Sequence, residues 1–188
     1  MERNRVKFGL CNVHVWPIIT DDSTGTTYGE TIKVEGGVKI SFKPEGSTNP
    51  FYADNVTYHN AVANNGYSGS LEIALILDEI LTKILSQTED TEDGTITETA
   101  SDKNVAFAMA FQFEGDKKAT RHIFYKCNAS RPAIEGETIG DKTEPNTDTL
   151  DINVIPRISD QKIKTKVEQG KLAYDSFFEK PYEKAPTI

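Results

Sequence analysis

Residues 32–42 read IKVEGGVKISF, and their period of two sets the fold class. Ile32, Val34, Val38, Ile40 and Phe42 fall on one face of an extended chain, while Lys33, Glu35, Lys39 and Ser41 fall on the other. Successive side chains of a strand point to opposite sides, so this alternation marks a strand with one face in a core. The same pattern recurs outward from it. Val105, Phe107, Met109, Phe111 and Phe113 share a face, opposite Ala106, Ala108 and Ala110, which are small enough for another element to pack closely. Leu150, Ile152 and Val154 alternate with Thr149, Asp151 and Asn153, residues 119–129 read as a further strand, and residues 6–16 alternate less cleanly. Residues 75–85 depart from the period: Ile76, Leu77, Ile80, Leu81, Ile84 and Leu85 recur at helical spacing, with Asp78 and Glu79 early and Lys83 late, as the helix dipole favours. The expectation is a mainly β fold, a β-sandwich or partly rolled barrel with one flanking helix of about three turns.

The connections carry further expectations. Residues 43–54 hold Pro44 and Pro50 and are too long for a tight turn; Pro44, Glu45, Gly46, Ser47, Pro50, Phe51 and Tyr52 are expected to contact a neighbouring subunit. Asn65-Gly66 reads as a hairpin tip pairing the strand from Val56 with the strand to Ile73. That register puts Thr57, His59, Ala61, Ser68, Ser70 and Glu72 on one polar face. Residues 87–102 form an acidic loop with an Asp93-Gly94 turn. The stretch 157–188 is charged and then aromatic. It reads as an extension to a 1–156 domain, an arm docking Tyr174, Phe177, Phe178 and Tyr182 on its own domain or on a neighbour.

Of the 188 residues, 37% are hydrophobic and 27% charged, which fits one globular domain. No apolar run nears the roughly 20 residues of a spanning helix, and no secretory leader is expected, so Asn55 and Asn128, in N-x-S/T sites, carry no sugar. The net charge of −8 argues against tight, sequence-independent DNA binding. Cys11 and Cys127 are expected to be reduced and buried. His14, His59 and His122 lack metal-ligand spacing. An EF-hand loop fails at Thr91 and Ala100, and the run 136–143, GETIGDKT, is one residue short of a P-loop. With no G-x-S-x-G elbow and no distinct carboxylate pair, no enzyme, cofactor or metal is expected.

Several blocks stand in a recognisable order. Lys7–His14 reads KFGLCNVH, Phe51–Tyr58 reads FYADNVTY, and Asn64–Leu75 reads NNGYSGSLEIAL. Gly115–His122 reads GDKKATRH before Ser130-Arg131-Pro132, Glu144–Leu150 reads EPNTDTL, and Tyr174–Phe178 reads YDSFF. Over nearly its whole length the chain resembles the major tail (tail-tube) proteins of siphophages and prophages of Gram-positive bacteria. It departs at Phe177, where a tryptophan is usual, and at Glu30-Thr31, where a Y-G-x-P turn is usual. The resemblance implies the tail-tube fold, shared with the type VI secretion tube. It implies rings, usually of six subunits, stacked into a tube that conducts DNA without specific binding, and a polar lumen wall that would use Thr57, His59, Ala61, Ser68, Ser70 and Glu72. The implied partners are the chain itself, the tape-measure protein, and the tail tip and tail terminator proteins, with no membrane. The implied location is the virion tail, assembled in the host cytoplasm. Two other readings are an inner tube of a contractile injection system and a small carbohydrate-binding sandwich; the second would need exposed aromatics on a concave face.

Overall fold

The computed structural model describes residues 7–136, 138 and 146–184, leaving aside the side chains of 49, 51 and 59–61. The first strand's expected start at Val6 and most of the P-loop-like run lie outside these. In chain order the strands are β1 (Leu10–Asp22), β2 (Gly25–Tyr28), β3 (Ile32–Val34), β4 (Gly37–Glu45), β5 (Thr48–Ala53), β6 (Val56–Val62) and β7 (Gly66–Ile73). After helix α1 (Asp78–Lys83) come β8 (Thr88–Asp90), β9 (Thr95–Thr97), β10 (Phe107–Phe113), β11 (Arg121–Ala129), β12 (Asp148–Val154), β13 (Lys164–Val167) and a 3₁₀ turn at Asp175–Phe178. The fold is mainly β, as the alternation requires.

Nine strands make one antiparallel sheet in the order β2-β1-β10-β11-β12-β7-β4, with β3 beside β1 and β13 beside β11. The sheet curls until the start of β4 returns to β1: a Cβ on Gly37 would lie 3.2 Å from the Leu10 side chain. The inner face buries Val13, Val15, Leu71, Ile73, Phe107, Met109, Leu150, Ile152 and Val154 around Ile80 of α1 and the Ile84 and Leu85 that follow it. The alanine face of β10 is buried too. Ala108 and Ala110 pack with Trp16, Ile123, Tyr125 and Phe177, so the C-terminal segment fills the space the small residues leave.

Three local expectations need correction. Residues 32–42 are two strands: Gly36 turns at φ +75°, β3 pairs with β1, and β4 pairs with β7. A bulge between Gly37 and Lys39 throws Val38 outward, where it is 51% exposed. The helix is six residues, not three turns. The Asp148 carboxylate accepts a hydrogen bond from the Ile76 amide at 2.9 Å, and Leu77 is extended (ψ 141°), so Leu75–Leu77 approach the helix without joining it. Asn65-Gly66 is not a hairpin tip. The tight turn lies at Asp54-Asn55, both at positive φ (52° and 63°), and β6 pairs with β5. Asp and Asn tolerate this left-handed conformation better than other side chains.

Candidate assembly surfaces

The β4–β7 ladder continues past the sheet. The Asn65 amide donates to the Glu45 carbonyl and the Ala63 amide to the Ser47 carbonyl, both at 2.9 Å. These bonds join the β4–β7 pairing to β5–β6, making one long two-stranded arm with its tip at Asp54-Asn55. Gly46 and Gly66 permit the crossing: a Cβ on Gly46 would sit 2.2 Å from the Ala63 carbonyl oxygen, and one on Gly66 1.9 Å from that of Val154. Pro44, Glu45, Pro50, Phe51 and Tyr52 therefore lie in strands, with only Gly46 and Ser47 linking them. Pro44 is tolerated because β4 is an edge strand. Beyond the sheet, none of the described side chains of the arm is buried, and Tyr52, Val56, Tyr58 and Val62 are 59–75% exposed.

The six residues read as one polar wall divide between two sheets. Thr57, His59 and Ala61 belong to β6 in the arm, where the side chains of His59 and Ala61, like that of Phe51, lie outside the described ones. Ser68, Ser70 and Glu72 belong to β7, on its outward side, opposite buried Leu71 and Ile73. Their cross-strand neighbours complete a different polar face, from β4 and β12. Lys39 and Thr149 flank Glu72, Ser41 and Asp151 flank Ser70, and Lys43 and Asn153 flank Ser68. Sequence reasoning missed the β4 and β12 members because it paired β7 with β6. The signal was present in the alternation of Lys39, Ser41 and Lys43 with Ile40 and Phe42. This face carries both signs of charge, from Lys39, Lys43, Glu45, Glu72 and Asp151. Glu72 accepts from the Thr147 hydroxyl at 2.8 Å, and Glu45 from Ser68 at 2.5 Å.

The C-terminal segment docks on its own chain. Phe177 is fully buried, Tyr174 is buried, and Phe178 and Tyr182 pack against the Trp16 cluster. Phe178 lies between the His14 ring, stacked at 4.8 Å, and the Arg121 guanidinium, 4.4 Å from its centroid. Tyr125 donates to the Tyr182 carbonyl at 2.8 Å. Residues 157–184 also contribute β13 to the main sheet. Arg157, only 3% exposed, holds Asp160 and Glu183 with bidentate geometry and lies over the Tyr125 ring. Its guanidinium holds the Asp160 carboxyl well below the usual range. A cleft of about 510 Å³ remains between the 3₁₀ turn and the β2–β3 connection, lined by Trp16, Tyr28, Glu30 and Lys180.

Other titratable groups are explained by packing. Burial opposes charge on Asp21, but hydrogen bonds from Lys126 (2.6 Å), the Ile158 amide and Thr26 hold its carboxyl below the usual range. Cys127 is buried and its thiol is pushed up; Cys11 is only half-buried, and neither is disulfide-bonded. His122 stacks on Phe111 at 5.3 Å, and burial, then Lys7 and Lys166, lower its pKa to about 4. Among the described residues, no cluster of His, Cys, Asp and Glu could hold a metal ion.

No family model matches the chain, and no curated protein does. Among solved structures it is similar to a chain in the cryo-EM structure of the anti-feeding prophage (AFP) baseplate, 6-fold symmetrised. The match has 11% identity, spans 89% of this chain and 97% of that one, and has a TM-score of 0.39. A likeness that loose carries no functional assignment.

Proposed function

We propose that this chain is a structural subunit of a bacteriophage tail tube, polymerising as stacked rings, of six subunits in the resembled family, around a channel for DNA. One observation supports this most: the β5–β6 arm carries exposed Tyr52, Val56, Tyr58 and Val62, with no buried residue among its described side chains. An isolated two-stranded hairpin is marginally stable in water, so an arm built this way needs a second surface to lie on. The ordered motif blocks of the tail-tube proteins suggest that this surface is another copy of the chain.

The polar face of β4, β7 and β12 is the candidate channel wall. Its charged residues nearly balance, two lysines against three carboxylates, and a wall of that composition gains little from counterion release and so holds DNA weakly. In this reading the chain performs no catalysis. It works in the virion, beside a tape-measure protein and the tip and terminator proteins at the tube's ends.

Negative-stain images and sedimentation of purified protein test the proposal. The wild type should form rings or tubes as concentration rises, and Tyr58→Asp/Val62→Asp should remain a folded monomer. A wild type that stays monomeric at every concentration and salt would sink the tube reading. Normal tubes from the double variant would remove the arm from the interface.

A further inference from the structure

The two ends of the β10–β11 hairpin differ in the sign of their exposed charge. Toward the end where β10 finishes and β11 begins, the exposed Lys7 and Lys166 lie beside His122, and exposed Lys164 stands two residues further along β13, opposite Phe124. Lys7 lies over the Phe113 ring (4.8 Å), Lys164 lies over the Tyr67 ring (4.5 Å), and Lys166 is the cross-strand partner of His122 itself. All three raise the positive field at its imidazole, which the Asp116 carboxylate opposes only in part. Among the described residues none of the three has a carboxylate partner. They stand on β13 and beside β10, over an aromatic floor of Tyr67, Phe111 and Phe113, and β13 is paired only on its β11 side.

At the opposite end, β10 begins and β11 finishes beside the β8–β9 ribbon. The Val105 amide donates to the Ile84 carbonyl (2.7 Å), and Arg131 pairs with Glu98 (2.6 Å), which ties the ribbon to that end. Residues 88–102 contain six acids and no Lys or Arg. Asp90, Asp93 and Asp102 turn their carboxylates onto their own backbone, and Glu98 takes Arg131. Glu89 and Glu92 remain, exposed and without partners among the described residues. Seven residues of β10 separate the two ends by roughly 23 Å.

We infer that the Lys7/Lys164/Lys166 face is a docking surface for the acidic β8–β9 ribbon of a second copy of this chain. Complementary patches at opposite ends of one rigid hairpin form a heterologous, head-to-tail contact, and repeating that contact gives an open stack, not a closed dimer. The inference rests on the tube reading for its direction, along the stack, but its chemistry is separate from that of the apolar arm. The ribbon is short, exposed and tied at one end, so it can reach into a neighbour without disturbing the core. Lys7 and Lys164 in turn lie on aromatic rings, which limits how far they can retreat into water. Long-range attraction of this kind favours encounter and register, and salt weakens it as the Debye length falls from about 30 Å at 0.01 M to about 3 Å at 1 M.

Two neutral variants of the full chain test it: Lys164→Gln/Lys166→Gln, which keeps the ribbon, and Glu89→Gln/Glu92→Gln, which keeps the lysine face. Circular dichroism should show both folded, because every altered side chain is exposed. Each alone should self-associate on the order of tenfold more weakly than wild type at low salt, since two or more screened charge pairs are lost. Mixed, the two variants restore one intact contact per pair, so sedimentation should give a salt-sensitive complex stronger than the self-association of either variant alone. Variants that self-associate as strongly as wild type, or a mixture that gives no complex, overturn the inference. So does a lysine face that binds duplex DNA while self-association is unchanged on neutralisation. Tubes that persist in the neutral variants would reject this contact and leave the tube reading standing. A salt-sensitive mixed complex from a wild type that never forms tubes would do the reverse.

Discussion

The Arg157 guanidinium and the Glu183 carboxylate meet with Nη2 and Oε2 2.8 Å apart, and that pair fastens the last described residues to the sheet. Arg157 is almost fully buried, whereas Glu183 is nearly half exposed, so the two partners are not equivalent. Glu183→Gln leaves Arg157 with Asp160 and should cost about 1 kcal/mol in chemical denaturation. Arg157→Met removes donors from both carboxylates and from the Tyr28 hydroxyl and should cost about 3 kcal/mol. Equal losses from the two variants would show that the pair contributes no more than a surface salt bridge.

Gly69 marks the closest approach in the β4–β7 ladder. A Cβ there would sit 1.9 Å from the Ser41 carbonyl oxygen and 2.7 Å from the Phe42 Cα, both backbone atoms that cannot step aside. Gly69→Ala should therefore destabilise by more than about 3 kcal/mol or prevent folding. Gly94→Ala is the control. Its Cβ would meet nothing within 4 Å, and only the φ of +71° opposes it, so the loss should be about 1 kcal/mol. Thermal melts of the two side by side decide the matter; similar melting temperatures would refute the steric account.

How far the sequence was legible depends on what each feature needs. The inner faces of β7, β10 and β12 follow from a period of two, because Leu71, Ile73, Phe107, Met109, Leu150 and Ile152 need only one core to face. The small residues of β10 announced that something packs on them, though not that Phe177 does so. Pairing was harder. Asn65-Gly66 carries the stronger turn signal, yet Asp54-Asn55 makes the turn, because the chain through Gly66 is occupied in passing the Val154 carbonyl. Local propensity cannot register a contact 88 residues away. The break at Gly36 has the same origin, since β3 and β4 take different partners.

His122 supplies a pH dependence. Burial lowers its folded pKa to about 4, against about 6.5 in an unfolded chain. Between those values the unfolded state binds the extra proton, so stability is present above about pH 6.5 and is lost as pH falls toward 4. The slope cannot exceed about 1.4 kcal/mol per pH unit, and solvent screening of the partly exposed ring should leave roughly half of that. His122→Gln should flatten denaturant midpoints over this range. An unchanged slope in the variant would assign the acid sensitivity elsewhere, with Asp21 and Asp160 acting only below about pH 4, since their folded pKa values are depressed and their stabilisation fades as they protonate.

Glu72 offers the sharpest test of the channel wall. It lies cross-strand from Lys39 on one side and Thr149 on the other, on the face that also carries Lys43, Glu45 and Asp151. Two lysines against three carboxylates give that face a charge of −1, and Glu72→Lys makes it three against two, or +1. The fold should survive, because Glu72 is not buried and a like-charge cross-strand neighbour costs about 0.2–1 kcal/mol. In a stacked tube the change is repeated by every subunit of every ring, so a local reversal becomes a continuous cationic lining. Such a lining releases counterions from DNA and holds it. Particles carrying Glu72→Lys should therefore assemble but eject DNA more slowly than wild type, with the defect easing as salt rises. Ser70→Ala, on the same face, changes no charge and should eject normally. If Glu72→Lys ejects at the wild-type rate in low salt, the face of β4, β7 and β12 does not line the channel.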